Sequence, residues 1–129
     1  MLLCSQCRDD KGKVLQTNWT VDPYQYELSM TVTSQIAFAQ GVSTDPNVEV
    51  AAFVGTECRG WCKLQYEENS GKWLCLLMIY SNAANEQITL RAYNPQKRDI
   101  FEYEGKLTFK NDSSVDDIDG VLVFLKKVS

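Results

Sequence analysis

The stretch Val48 to Tyr66, VEVAAFVGTECRGWCKLQY, has the pattern of two short strands joined at Gly55 and Thr56. Successive side chains of a β-strand point to opposite faces. In the second run this alternation puts Cys58, Gly60, Cys62, Leu64 and Tyr66 on one side, and Glu57, Arg59, Trp61, Lys63 and Gln65 on the other. The stretch therefore predicts a half-buried antiparallel strand with a charged outer face and one outward tryptophan.

The rest of the chain shows the same period of two, and no segment has sustained helical spacing. The best amphipathic strand runs from Tyr26 to Ile36, and a loop follows at Gly41 to Asn47. Residues Glu67 to Gly71 predict a hairpin turn in which Gly71 has a positive φ. Further strands are predicted at Val48–Val54, Cys58–Tyr66, Lys72–Tyr80, Glu86–Tyr93, Asp99–Tyr103, Lys106–Lys110 and Val121–Val128. This pattern favours an all-β fold, a two-sheet antiparallel β-sandwich of immunoglobulin-like or jelly-roll-like type.

Length and composition indicate one globular domain of 129 residues, with 44% hydrophobic and 23% charged residues. The net charge of -4 has the wrong sign for a nucleic-acid partner. The most apolar run, Trp73 to Tyr80, is too short to span a membrane as a helix. Residues 1–16 are expected to be a flexible leader or linker, and residues 17–129 the β-sandwich module. Leu2-Leu3-Cys4 partly matches a lipoprotein cleavage site, so lipidation of Cys4 is the alternative to a simple leader.

Catalytic chemistry has little support in the sequence. The chain contains no histidine, the commonest general base. A hydrolase would depend on paired carboxylates, for which the nearest candidates are Glu102 with Glu104, or Asp116, Asp117 and Asp119. The segment Asp112 to Asp119 resembles the start of a calcium loop, but it departs from the EF-hand pattern, and a solvated turn is the alternative. We expect no catalytic residues and no cofactor.

The cysteines predict no metal site. Four residues along a strand separate Cys58 from Cys62 by about 13 Å, too far for two ligands of one zinc ion. Cys75 is a better neighbour for Cys62, because the hairpin at 67–71 brings their strands together. A shift of one residue in register decides whether the two thiols face each other. Both a disulfide and a pair of buried free thiols are therefore open.

Trp61 is the best candidate for a binding residue, because it shares a polar face with Arg59 and Lys63. An indole there can stack on a sugar ring or anchor a protein contact, unless a neighbouring loop covers it. Arg59 is expected to form an ion pair with Glu57 or to bond nearby carbonyls. The predicted binding residues are Arg59 and Trp61, and the predicted partner is a glycan or a protein.

Several motifs together resemble a β-sandwich module of secreted and cell-surface proteins of Bacteroidetes and related bacteria. They are Trp19-Thr20-Val21-Asp22-Pro23, YELSMTV (26–32), AAFVGTECRG (51–60), the strand around Tyr80, and ITLRAY (88–93). The resemblance implies a sandwich fold, an extracellular or cell-surface location, with outer-membrane association as one form of it, and no catalytic activity. We therefore expect a non-enzymatic binding or adhesion-type module, with other domains of a larger parent chain as further partners. The alternatives are a purely structural accessory domain and a small carboxylate-based hydrolase.

Overall fold

The structure is a computed structural model that describes residues 6–8 and 12–129, with the backbone alone considered at 6–8 and 115–119. Strands make up 59% of the chain, and the described residues form no α-helix. A short 3-10 helix at Pro23–Gln25 is capped by Asp22, whose side chain accepts a hydrogen bond from the Tyr24 amide at 3.1 Å. The all-β prediction is confirmed.

The described residues form twelve strands. In chain order they are β1 (Gln6–Arg8), β2 (Val14–Thr17), β3 (Leu28–Phe38), β4 (Gly41–Val42), β5 (Glu49–Val54), β6 (Glu57–Lys63), β7 (Gln65–Glu67), β8 (Lys72–Ser81), β9 (Gln87–Asn94), β10 (Asp99–Tyr103), β11 (Leu107–Thr108) and β12 (Ser114–Lys127). Most predicted strands are present with shifted ends. One segment differs in kind. A solvated turn was the alternative for the aspartates of 112–119, but the backbone from Ser114 onward belongs to strand β12.

One ten-stranded sheet contains most of these strands, in the order β6-β5-β9-β10-β12-β3-β8-β7, with β4 beside β3 and β11 beside β9. Neighbours are antiparallel except β12 and β3, which are parallel. The sheet curls until it is nearly closed into a barrel. The expected two-sheet sandwich is not confirmed, because the strands form one continuous sheet, apart from the separate pair β1-β2.

The barrel nearly closes where β6 lies along β8, and we call this line the seam. No backbone ladder joins these two described strands. Gly60 lies so close to β8 that a Cβ atom there would collide with the Met78 carbonyl oxygen. Further along, the sulfur atoms of Cys62 and Cys75 are 3.4 Å apart. Glycine at position 60 is therefore what allows the two backbones to approach.

The inside of the barrel holds the main hydrophobic core. On β3 the predicted alternation is confirmed, since Met30, Val32 and Ile36 are at most 2% exposed and belong to this core. The largest fully buried core side chains from other strands and loops include Leu77, Ile79, Leu90, Phe109 and Phe124. Each inward residue alternates with a neighbour on the outer surface, as a period of two requires.

A second, smaller core covers part of the outside of the barrel. Val14 and Trp19 pack there against outward side chains of β5, β9 and β10, namely Ala51, Phe53, Tyr93 and Ile100. The Tyr93 hydroxyl donates a hydrogen bond to the Val14 carbonyl at 2.9 Å, and the rings of Trp19 and Phe53 lie 5.8 Å apart. Val14 is fully buried, although the sequence assigned residues 1–16 to a flexible leader. Packing onto the barrel thus begins at least three residues before the predicted boundary.

A β-bulge in β6 puts Cys58 on the opposite face of the sheet from the one that the alternation predicted. Ala52 pairs with Gly60, but Phe53 pairs with Cys58, so one extra residue stands in β6 between these pairs. The extra residue reverses the alternation. Gly60 and Cys62 face inward as predicted, whereas Cys58 packs with Phe53 in the outer core. The prediction that Cys58 shares a face with Cys62 is therefore wrong.

The hairpin between β7 and β8 forms as predicted. Gly71 has a φ of +70°, and its amide donates to the Glu67 carbonyl at 2.9 Å. Tyr66 pairs with Trp73, and this register would place Cys62 opposite Leu77. The strand is interrupted at Leu64, between β6 and β7, and beyond the interruption the sulfur of Cys62 lies beside that of Cys75 instead.

Candidate functional surface

Arg59 lies at the centre of a polar cluster beside the seam. Its Nε donates to Glu57 at 2.5 Å, and its Nη1 donates to Glu86 at 2.9 Å and to the Tyr80 carbonyl at 3.2 Å. The guanidinium carbon is 5.0 Å from the centroid of the Tyr26 ring. These contacts confirm the predicted ion pair with Glu57 and the predicted bond to a carbonyl. The side chain is only 11% exposed, so its role in the structure is to bridge β6 to β8.

Charge pairing in this cluster shifts the pKa values of its members. The hydrogen bonds from Arg59 and then from the Ser81 hydroxyl lower the pKa of Glu86 below its ordinary value of 4.5. Burial acts to lower the pKa of Arg59, but the bonds with Glu86 and Glu57 outweigh it and the pKa is raised. The cluster therefore holds one cation between two ionised carboxylates near neutral pH. The sequence pointed to Glu57, but Glu86 and Tyr26 are distant in the chain and were missed.

Trp61 is on the outer surface, as the alternation predicted, with 40% of the residue exposed. Its ring nitrogen donates to Glu49 at 2.8 Å, and the same carboxylate oxygen accepts a hydrogen bond from the Thr17 hydroxyl. Glu49 therefore fixes the orientation of the indole while leaving much of it open. Since Trp61 follows Gly60 in β6, it lies next to the part of β8 that contains Met78, on the other side of the seam.

The outside of the barrel also carries an apolar surface formed by β8, β3, β4 and β12. We call it the aliphatic face. Thr31 pairs with Met78 and Thr33 with Leu76, so these four side chains share one side of the sheet. Further along β3, Ala37 pairs with Val123 of β12 on one edge and with Val42 of β4 on the other, the edge that β8 shares. The exposed members are Val42 (47%), Leu76 (45%), Met78 (40%), Val121 (38%), Val123 (41%) and Leu125 (55%).

This face holds six of the ten large hydrophobic residues that are exposed among the described positions. Part of it forms a shallow hollow of about 300 Å³ lined by Thr31, Thr33, Leu76, Leu77, Met78 and Ser114. None of these residues carries a charge. Such a one-sided concentration is typical of interaction surfaces, whereas single exposed apolar residues are ordinary.

Sequence reasoning missed the aliphatic face, because most of its exposed side chains stand in two uninterrupted apolar runs, 73–80 in β8 and 121–125 in β12. The run from Trp73 to Tyr80 has the length of a fully buried strand. In the structure Cys75, Leu77 and Ile79 are buried inside the barrel, while Leu76 and Met78 point outward. A uniformly apolar run carries no signal that tells a covered outer face from an open one.

The carboxylates considered for catalysis, Glu102 and Glu104, line a second hollow of about 270 Å³ together with Lys126. The carboxylate of Glu102 is 3.7 Å from Arg91, with which it forms an ion pair. The structure thus brings the two carboxylates to one hollow and gives one of them a cationic partner.

The described cysteines, Cys58, Cys62 and Cys75, are free thiols. Among the described residues, no group of three or more cysteine, aspartate or glutamate side chains is arranged to hold a metal ion. Lipidation of Cys4 and calcium binding by the side chains of 115–119 lie outside what the structure describes.

Among the described residues, no helix has the length and apolar character needed to span a membrane. Comparison of the chain with known proteins gives no further assignment: no family model, no curated protein and no solved structure matches it.

Proposed function

We propose that this chain is a non-enzymatic binding module that holds a partner protein against its aliphatic face. The observation that carries the proposal is the unequal covering of the barrel. The outer side of β5, β9 and β10 is covered by Val14 and Trp19, whereas six large apolar side chains on β4, β8 and β12 remain exposed. A face of this kind gains free energy when another apolar surface removes it from water.

The chemistry of the face favours a protein over a glycan. Its exposed large side chains are aliphatic, and the polar residues that line its hollow are Thr31, Thr33 and Ser114, which add hydroxyl groups without charge. Sugar rings stack on aromatic side chains, whereas aliphatic faces pack against the leucine, valine and methionine side chains of other proteins. Trp61, across the seam from Met78, adds one aromatic anchor of the type enriched at the centres of interfaces.

The proposal includes the extracellular or cell-surface location and the secreted-module family implied by the motif residues. Support comes from the positions of the motif residues, since Arg59 and Gly60 of AAFVGTECRG lie at the seam and contact the backbone of β8. The two-layer sandwich of that family is also part of the proposal. A barrel flattened around its inner core has two facing walls, which is the arrangement of a sandwich.

Site-specific photo-crosslinking in the source cells tests the proposal. A photoreactive amino acid is placed at Met78 or Val123, and at Lys97 as the control, because Lys97 is exposed in the turn between β9 and β10. We expect one and the same protein to be crosslinked from 78 and 123 and not from 97. Leu76→Asp should abolish the adduct, because it puts a charge into the contact.

Equal labelling from all three positions, or no adduct from any of them, would contradict the proposal. Adducts joining two copies of the chain would also contradict it, because the face would then be a dimer interface. A folded protein with no adduct leaves the purely structural accessory domain as the better interpretation.

Trp61 supports a second candidate, a glycan-binding module. The residue is 40% exposed and its ring nitrogen is held by Glu49, so the indole is partly open and fixed in orientation. On a glycan array, Trp61→Ala should lose any binding that the native protein shows. The substitution should change the free energy of unfolding by less than about 1 kcal/mol, because the ring is outside both cores. An array without a ligand removes this candidate, and unfolding of the variant would show that the indole is a core residue.

A further inference from the structure

Cys62 and Cys75 stand opposite each other across the seam. Their sulfur atoms are 3.4 Å apart, and no backbone ladder joins β6 to β8. Cys75 is fully buried in the inner core, and Cys62 is partly exposed at its edge. Cys58 is separate from the pair, since it packs in the outer core and its thiol contacts the Gly60 carbonyl at 3.4 Å.

We propose that Cys62 and Cys75 form a disulfide bond that covalently closes the barrel at its seam. A disulfide has a sulfur-to-sulfur distance of about 2.05 Å, so the two sulfurs need to approach by about 1.4 Å. Gly60 already brings the backbones of β6 and β8 together two residues away. The required movement is therefore within the reach of the two side chains and needs no rearrangement of the sheet.

The reaction is thiol-disulfide exchange with a small disulfide such as oxidised glutathione. The Cys62 thiolate attacks one sulfur of glutathione disulfide, forms a mixed disulfide and releases one glutathione thiolate. Cys75 then loses its proton and attacks the Cys62 sulfur, which releases the second glutathione. Glutathione disulfide gains two electrons, the cysteine pair loses two, and the two protons from the thiols end on the two glutathione molecules.

The environments of the two thiols explain why Cys62 reacts with the oxidant first and Cys75 second. Cys62 is partly exposed and can meet a soluble oxidant, whereas Cys75 is fully buried. The hydrogen bond with Cys62 and then burial raise the pKa of Cys75 well above its ordinary value of 9.0. Cys75 thus stays a protonated thiol until the mixed disulfide forms, and it then acts as the resolving cysteine.

The bond should stabilise the fold for two reasons. It joins β6 to β8, which have no backbone ladder between them, and it closes a loop between residues 13 positions apart. Constraining a loop of this size in the unfolded chain should raise the melting temperature by roughly 10 °C. The oxidised protein should lose this increase when a thiol reductant is added.

Peptide mapping identifies the bond directly. Trypsin cuts after Arg59, Lys63, Lys72 and Arg91, which places Cys62 in peptide 60–63 and Cys75 in peptide 73–91. Cys58 falls in peptide 14–59, and both remaining cysteines fall in peptide 1–8. After equilibration with oxidised glutathione, alkylation in denaturant and digestion without reductant, we expect peptide 60–63 joined to peptide 73–91.

Two variants provide the matched comparison. Cys62→Ser should remove both the joined peptide and the difference in melting temperature between oxidised and reduced protein, whereas Cys58→Ser should keep both. The proposal is wrong if peptides 60–63 and 73–91 are recovered with alkylated cysteines. It is also wrong if Cys62 stops at the glutathione adduct or is joined to peptide 1–8 or 14–59. Because the mapping is done on the native sequence, the result does not depend on the folding of any variant.

Discussion

Replacing Gly60 with alanine tests whether the barrel nearly closes between β6 and β8. The added Cβ would collide with the Met78 carbonyl oxygen, and it would stand 3.2 Å from the Met78 carbonyl carbon and 3.4 Å from the Ile79 Cα. All three are backbone atoms of β8, so relief requires a strand to move. Overpacking of this kind costs about 1–3 kcal/mol, and backbone obstruction puts Gly60→Ala at the upper end, about 2–3 kcal/mol.

The assay is urea or thermal unfolding followed by circular dichroism, with the protein kept reduced so that the seam is free of a disulfide. For a chain of this length the expected loss lowers the melting temperature by roughly 8–12 °C. Gly105→Ala is the matched control. Its Cβ would also meet a close neighbour, but that neighbour is the far end of the Tyr103 ring, which can rotate away. We expect Gly105→Ala to cost less than about 1 kcal/mol.

An unchanged melting temperature for Gly60→Ala would refute the reasoning. Gly60 would then have open space beside it, β6 would stand away from β8, and the sheet would be open at that point. Equal losses for the two variants would also refute it, because the comparison depends on obstruction by backbone in one case and by a movable side chain in the other.

Two further predictions concern the polar cluster and the outer core. Arg59→Ala should lower the free energy of unfolding by about 1–2 kcal/mol at pH 7, because the buried guanidinium bonds two carboxylates and a carbonyl. The pKa of Glu86 is lowered in the folded state, so this stabilisation is present above pH 4.5 and is lost as the pH falls through the folded pKa. Urea titrations at several pH values should show the gap between native and variant closing in acid, and a constant gap would contradict the charge pairing. Val14→Ala should cost about 2 kcal/mol, because the side chain is fully buried. Leu15→Ala, at a neighbour that is 49% exposed, should stay within about 0.5 kcal/mol, and equal effects would mean that residues 14–19 do not cover the barrel.

The structure confirms the sequence predictions that depend on local chemistry. The period of two identified the strands, including the inward Met30 and Val32, and it placed Trp61 on the outside. The turn at 67–71 was predictable because its φ of +70° favours glycine. The ion pair between Arg59 and Glu57 was predictable because the two residues are close in sequence.

Tertiary structure decided what depends on neighbours that are distant in the chain. One extra residue in β6 reversed the facing of Cys58, and the effect of a bulge appears only when the partner strand is known. Curling into a near-barrel follows from the order of eight strands along the sheet, which period-two patterns leave open. The aliphatic face is the clearest case. The outer surface is apolar on both sides of the barrel, but Val14 and Trp19 cover only one side, and Leu76 and Met78 stay exposed on the other. Alternation is a property of each strand by itself, whereas burial depends on which distant segment packs above it.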